Sequence, residues 1–354
     1  MSKLFESTQL GRIELKNRVV MAPLTRSRSP GSVPGELVKE YYTQRAGAGL
    51  IIAEGTSPSP NGLGYARIPG IFSDEQAKGW RAVADGVHAK GGRIFVQLMH
   101  TGRVGHAANL PKGARVLAPS AIALSGLMWT DTEGQQPHPT PIAMSEGDIR
   151  ETQAEFVHAA ELAIKAGLDG VELHAANGYL LEQFLNPNVN KRTDSYGSSA
   201  ENRMRFVLEI AKAVSEKIGA DRVGIRISPY GAFNDTGAFE GVDDFYAQLA
   251  HKLSDLGLVY IHIVDHSSMG APAVSAEVKR LVRANFKGQI ILSGGYDVTR
   301  AEHDISEGRG DLIAFGRPFI SNPNLVEKLK TGAPLKDADP STFYTPGPKG
   351  YTDY

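Results

Sequence analysis

Short apolar runs rich in β-branched residues recur along the chain, separated by longer stretches of helical periodicity. The runs are Val19-Val20-Met21-Ala22-Pro23, Leu50-Ile51-Ile52-Ala53-Glu54 and Arg93-Ile94-Phe95-Val96-Gln97-Leu98, then Gly170-Val171-Glu172-Leu173-His174 and Val223-Gly224-Ile225-Arg226-Ile227. Val259-Tyr260-Ile261-His262-Ile263, Gln289-Ile290-Ile291-Leu292 and Asp311-Leu312-Ile313-Ala314-Phe315 follow. Continuous apolar runs of this length suit strands of a parallel sheet covered on both faces. Between them, residues 199–218 place Phe206, Ile210, Val214 and Ile218 on one stripe, and residues 148–166 do the same with Phe156, Ala160 and Ile164. Cap patterns at Ser73…Gln76, Ser145…Asp148 and Ser198…Glu201 predict helix starts.

Parallel strands need crossovers, and the helices supply them. Eight strands alternating with helices predict an α/β fold: a single (β/α)8 TIM barrel spanning residues 1–354. A doubly wound dinucleotide fold fits poorly, because Leu24-Thr25-Arg26-Ser27 follows the first run where a Gly-x-Gly-x-x-Gly turn would be required. Two segments fall outside the repeat. Residues 1–18 predict a hairpin closing the N-terminal end of the barrel. Residues 101–146, rich in Gly, Pro and His, form a long excursion after the third strand. Loops after strands lie on the catalytic face of such barrels, so this excursion is a candidate active-site lid.

Composition narrows the function. With 38 Lys+Arg against 39 Asp+Glu, no overall field favours nucleic acid or an anionic membrane. Cysteine is absent, which excludes disulfides, thiol nucleophiles, thiolate zinc sites and cysteine-held iron–sulfur clusters. The opening residues lack the apolar core of a secretory leader, and no apolar run approaches membrane-spanning length. A cytoplasmic protein acting on small molecules, as a monomer or weak homo-oligomer, is expected.

Chemistry in a barrel concentrates where strands end. Ser293-Gly294-Gly295 ends the seventh strand and Gly316-Arg317-Pro318 the eighth. Glycines admit close backbone approach to an anion, Arg317 offers a guanidinium fork, and Pro318 suits the first position of a short helix. Together they predict a phosphate site. His174, Asn177 and Tyr179 follow the fourth strand: an imidazole and an amide to hold one ligand oxygen, with a phenol nearby to give a proton. Arg226 sits in an apolar strand, where an unpaired cation is costly. It predicts either a buried ion pair with Glu54 or Glu172, or a partner for an electron-rich cofactor ring.

The run His174-Ala-Ala-Asn177-Gly-Tyr179-Leu-Leu-Glu-Gln-Phe-Leu-Asn186-Pro-Asn-Val-Asn190-Lys-Arg192-Thr-Asp194-Ser-Tyr196-Gly197, continuing into Glu201-Asn-Arg203-Met-Arg205-Phe206, resembles the signature of the Old Yellow Enzyme family. The resemblance extends over nearly the whole chain, through Leu15-Lys-Asn-Arg18, Met21-Ala-Pro-Leu-Thr25, Gly64-Tyr65, Val96-Gln-Leu98, Phe343-Tyr344 and Gly350-Tyr-Thr-Asp-Tyr354. It implies an FMN-dependent ene-reductase on a (β/α)8 barrel, taking hydride from NADPH or NADH by a ping-pong route and delivering it to activated alkenes: α,β-unsaturated carbonyls, with nitroalkenes and maleimides as further acceptors. By matching positions, Pro23, Leu24, Thr25, Gly55 and Gln97 border the flavin, and Arg226 balances negative charge on the reduced ring. Gly294, Gly295, Gly316 and Arg317 hold the phosphate, and Tyr344 lies near the flavin edge. His174 and Asn177 grip the substrate oxygen, Tyr179 donates the proton, and Tyr65, Met99 and Phe233 line the substrate side. Met99 departs from the Trp that many relatives carry, which alters the pocket shape.

Two other classes are weighed against this one. A metal-dependent barrel hydrolase or aldolase would rest on His100, His106, His174, His262, Asp265 and His266. A flavin carrier without reductase activity would need the phosphate and ring contacts but not the His174, Asn177 and Tyr179 group.

Overall fold

A computed structural model of the protein describes residues 2–354. Eight parallel strands close into a barrel: Val19–Met21, Leu50–Thr56, Ile94–Leu98, Gly170–Ala175, Val223–Ile227, Tyr260–Ile263, Gln289–Ser293 and Leu312–Phe315. The eighth pairs with the first, Ile313 opposite Val19 and Phe315 opposite Met21, which completes the ring. All eight coincide with the runs read from the sequence, to within a residue or two at the ends.

Alternation along the strands sorts residues to the two faces. Val19, Met21, Ile51, Val96, Leu173 and Ile225 point outward into the layer shared with the helices. Val20, Leu50, Ile52, Phe95, Tyr260, Ile291 and Leu312 fill the inside of the barrel. Gly224 makes room there: a Cβ at that position would fall 2.1 Å from the Tyr260 ring. The hairpin Thr8–Leu10 with Ile13–Leu15 inserts Leu10 and Leu15 into this inner cluster and plugs the N-terminal end.

Ser73 and Ser145 cap their helices as expected, Ser145 forming a reciprocal capping box with Asp148. The expected cap at Ser198 is displaced by one residue. Ser199 accepts from the Asn202 N–H, while Ser198 takes a left-handed backbone (φ +66°) and turns its hydroxyl to the Arg192 carbonyl. The excursion at 101–146 is tied down at many points. It carries a two-residue pairing of Leu117–Ala118 with Ile142–Ala143 and a hairpin of Leu127–Thr130 with Gly134–Pro137.

Candidate active site

Further along the same inward-facing positions, the barrel lining turns polar. Glu172 accepts Gln97 Nε2 at 2.7 Å and is bonded to His262 Nδ1 at 2.9 Å, all three fully buried. Arg226 lies level with His174 on one side and His262 on the other. Arg226 makes neither expected ion pair. Glu172 is already engaged by Gln97 and His262, and Glu54 is held by Tyr42 and the Arg26 N–H on another side of the barrel wall. Among the described residues, Arg226 Nε and His174 Nδ1 are buried without a protein partner. Burial, reinforced by the charge of Arg226, holds the His174 imidazole well below its usual range, so it is neutral.

Above this layer opens a cavity of about 1190 Å³, at the C-terminal ends of the strands. Most of the residues singled out from the sequence lie on its wall: Pro23, Leu24, Thr25, Tyr65, Gln97, Met99, His174, Asn177, Tyr179, Arg226, Gly294, Gly295, Gly316, Arg317 and Tyr344. Two do not. Gly55 stands behind Met99, and a Cβ there would meet Met99 Sδ at 2.5 Å, so this glycine makes space for the thioether rather than facing the cavity. Phe233 is partly exposed and packs edge-on against His266 with ring centroids 4.6 Å apart; its neighbour Asn234 takes the place on the wall.

The loop after the fourth strand is fixed from beneath. Asn177 and Gly178 adopt left-handed conformations (φ +58° and +74°). Ser228 Oγ accepts the Asn177 N–H at 2.9 Å, and Glu182 accepts the Gly178 N–H at 2.6 Å and the Ser228 hydroxyl at 2.9 Å. Full burial pushes the Glu182 carboxyl up to about 8, against the pull of those two donors. The Asn177 side chain meets His266 Nε2 at 2.9 Å through Oδ1. The Tyr179 hydroxyl is 3.0 Å from that of Tyr65, and its ring stands edge-on to His174 at 4.9 Å. Burial raises Tyr179 above the ordinary phenol range, so it keeps its proton.

At the other end, Gly294 and Gly295 have positive φ (+121° and +63°), and Pro318 opens the short helix Pro318–Ser321. The excursion supplies the mouth through Val104, Leu127, Met128, Trp129, Asp131 and His138. The C-terminal segment supplies Phe343 and Tyr344, held by buried cations. Arg26 donates to Gly350 O at 2.7 Å, Arg28 to Thr342 O and Phe343 O at 2.7 Å each, and Tyr351 stacks on Tyr41 at 4.1 Å. Arg67 bridges both sides of the mouth, pairing with Asp131 and donating to Tyr344 O. Sequence reasoning did not find Arg26, Arg28, Arg67 or the mouth hairpin. Its nearest signal for the tail was the Phe343-Tyr344 and Gly350–Tyr354 pattern.

The histidines that a metal site would need are dispersed. His100 and His106 each accept a backbone N–H two residues on, and His262 serves Glu172. Among the described residues no three His, Cys, Asp or Glu side chains converge as ligands.

The family model for the NADH:flavin oxidoreductase / NADH oxidase family matches residues 3–336. A probable flavin mononucleotide-dependent alkene reductase of Leishmania infantum is 40% identical over 98% of this chain and 95% of its own. Morphinone reductase in complex with tetrahydroNAD is 44% identical, covering 99% of this chain and 96% of that one with a TM-score of 0.94. An Old Yellow Enzyme homologue from Zymomonas mobilis is 38% identical, with 99% of each chain covered and a TM-score of 0.94. The chain belongs to the Old Yellow Enzyme family of NADH:flavin oxidoreductases. The residues present fit a flavin nucleotide. An unpartnered cation and an unpartnered imidazole face the cavity at the barrel axis, and a glycine-lined end with Arg317 offers a phosphate cradle. Members of the family are flavin enzymes, and this chain is an oxidoreductase of that kind.

Proposed function

We propose that the protein reduces activated C=C bonds, using FMN and a nicotinamide hydride donor. The observation that carries this reading is the convergence of His174, Asn177, Tyr179 and the unpaired Arg226 on one cavity whose far end is lined by Gly294, Gly295, Gly316 and Arg317. The name of the Leishmania relative supports FMN and an alkene, and the tetrahydroNAD complex of morphinone reductase supports the donor.

FMN, when bound, would supply the hydride relay between NADPH or NADH and the β-carbon of the acceptor. Pro23, Leu24, Thr25 and Gln97 would border its ring, with Tyr344 at the edge, and Arg226 would supply a cation where negative charge accumulates. Gly294, Gly295, Gly316 and Arg317 hold the phosphate. His174 and Asn177 bind the carbonyl oxygen of the acceptor and so favour the charge that hydride addition builds beside it. Tyr179 holds a proton for the α-carbon. Tyr65 and Met99 bound the acceptor, and the 101–146 excursion shapes the entrance. Donor and acceptor would occupy the one cavity in turn, a ping-pong order.

The test is direct. Purified protein should be yellow, release FMN on denaturation, and consume NADPH or NADH in step with cyclohex-2-enone. A colourless protein whose turnover requires an added metal ion would overturn the proposal in favour of the hydrolase or aldolase class.

A further inference from the structure

The backbone around Asn177 is held on both sides. Its N–H is bonded to Ser228 Oγ, and its carbonyl accepts Asn234 Nδ2 at 2.7 Å. What remains free is the rotation of the side-chain amide, which decides whether the cavity meets an NH2 donor or a carbonyl acceptor. The two orientations have nearly the same shape and opposite polarity. The side chain that meets the Asn177 amide oxygen is His266, 89 residues away, just beyond the sixth strand.

We propose that His266 is a positioning residue: donating from Nε2 to Asn177 Oδ1, it holds the amide with its NH2 toward the cavity and makes the site selective for acceptor oxygens. The inference rests on the reading of Asn177 as part of the substrate clamp. Three features support it. The Asn177 amide nitrogen makes no hydrogen bond to protein among the described residues, so its donors remain for a ligand. The imidazole is braced by the edge-on ring of Phe233, which limits its rotation. Burial, with Arg226 and Arg317 nearby, lowers His266 to about 4, so at neutral pH it carries one ring proton; with that proton on Nε2, 2.9 Å from Asn177 Oδ1, it donates to the amide oxygen. Phe233, absent from the cavity wall, thereby acts on the site through His266.

The experiment uses FMN-loaded enzyme and two probes: the affinity of 4-chlorophenol, read by visible difference titration, and the KM and kcat for cyclohex-2-enone. His266→Gln keeps an N–H donor and should stay within about 3-fold of wild type in both affinity and KM. His266→Leu removes it and should weaken both by about 10-fold, the scale of one hydrogen bond, with FMN content and NADPH oxidation at saturating quinone retained. His266→Met, an unbranched alternative, repeats the comparison if the Leu variant does not retain FMN. In an Asn177→Ala background the difference between Gln and the apolar residue should vanish, which a merely structural role for His266 would not produce. Equal affinities for the Gln and apolar variants, or a difference that persists in Asn177→Ala, would overturn the positioning role while leaving the clamp intact. If Asn177→Ala alone leaves phenol affinity and KM unchanged, the clamp reading itself fails and the proposal falls with it.

Discussion

Replacing Tyr179 by Phe tests the proposed proton delivery apart from everything else the side chain does. Among the described residues the hydroxyl makes one hydrogen bond, to Tyr65 at 3.0 Å, while the ring packs edge-on against His174. Phenylalanine keeps the ring contact. The lost hydrogen bond should cost about 1 kcal/mol of stability. Tyr65 keeps Asn234 as a neighbour for its own hydroxyl, which limits the damage. The catalytic cost is larger. A positioned general acid is worth about 10²–10⁴ in rate, or roughly 2.7–5.5 kcal/mol in the barrier at about 1.36 kcal/mol per decade. Burial raises Tyr179 above the ordinary phenol range, so the wild-type group stays protonated and contributes no slope to the rate between about pH 6 and 9. Stopped-flow mixing reads the two half-reactions separately. Oxidation of NADPH by the holoenzyme should stay near wild type, and reaction with cyclohex-2-enone should slow by the factor above. Reaction with a quinone, which needs no proton on carbon, should change little. An enone step as fast in Tyr179→Phe as in wild type would refute the assignment and move the acid to water or to Tyr65.

Arg317→Ala should weaken FMN much more than riboflavin, because the two ligands differ only by the phosphate that Arg317 is proposed to hold; equal losses in fluorescence titration would remove the phosphate role. Met99→Trp should change the ranking of bulky enones or the face of hydride addition, read by chiral chromatography of products; a changed melting temperature with an identical substrate profile would make Met99 a filler of the space left by Gly55. Glu182 has its pKa raised to about 8 in the folded protein, so the folded state binds this proton more tightly than the unfolded chain does. Its contribution is fully present below about pH 4.5 and is lost as pH rises through about 8, a change on the order of a few kcal/mol. Urea unfolding should therefore show wild type losing stability relative to Glu182→Gln between pH 5 and 9, and parallel profiles for the two would contradict the shift.

The barrel was legible because each of its strands is buried on both faces, so each appears as a short apolar run that stands out from the amphipathic helices around it. The glycine turns at that end of the cavity were legible for a related reason: Gly294 and Gly295 take positive φ and Pro318 opens a short helix, and such local backbone demands are written at the positions where they act. Ser145 and Asp148 were legible as a cap because they bond within one turn. At Ser198 the expected cap falls instead to Ser199, beside it, which accepts from the Asn202 N–H, while the Ser198 hydroxyl donates to the Arg192 carbonyl.

What the sequence left open depends on closure of the barrel, which brings distant residues level with one another. Arg226 had two candidate acidic partners, and the fold engages both elsewhere: Glu172 with Gln97 and His262, Glu54 with Tyr42 and the Arg26 N–H. Tyr65 and Tyr179, 114 residues apart, become a hydroxyl pair, and His266 reaches Asn177. Gly55 and Phe233 carry the family pattern, yet packing turns Gly55 toward Met99 and Phe233 toward His266, off the cavity wall. The tail carbonyls of Thr342, Phe343 and Gly350 find Arg26 and Arg28 more than 300 positions away. Apolar periodicity and turn chemistry are local and are encoded locally. The partner of a buried polar group is set by which strands and loops the closed ring places side by side, and that is a property of the whole fold.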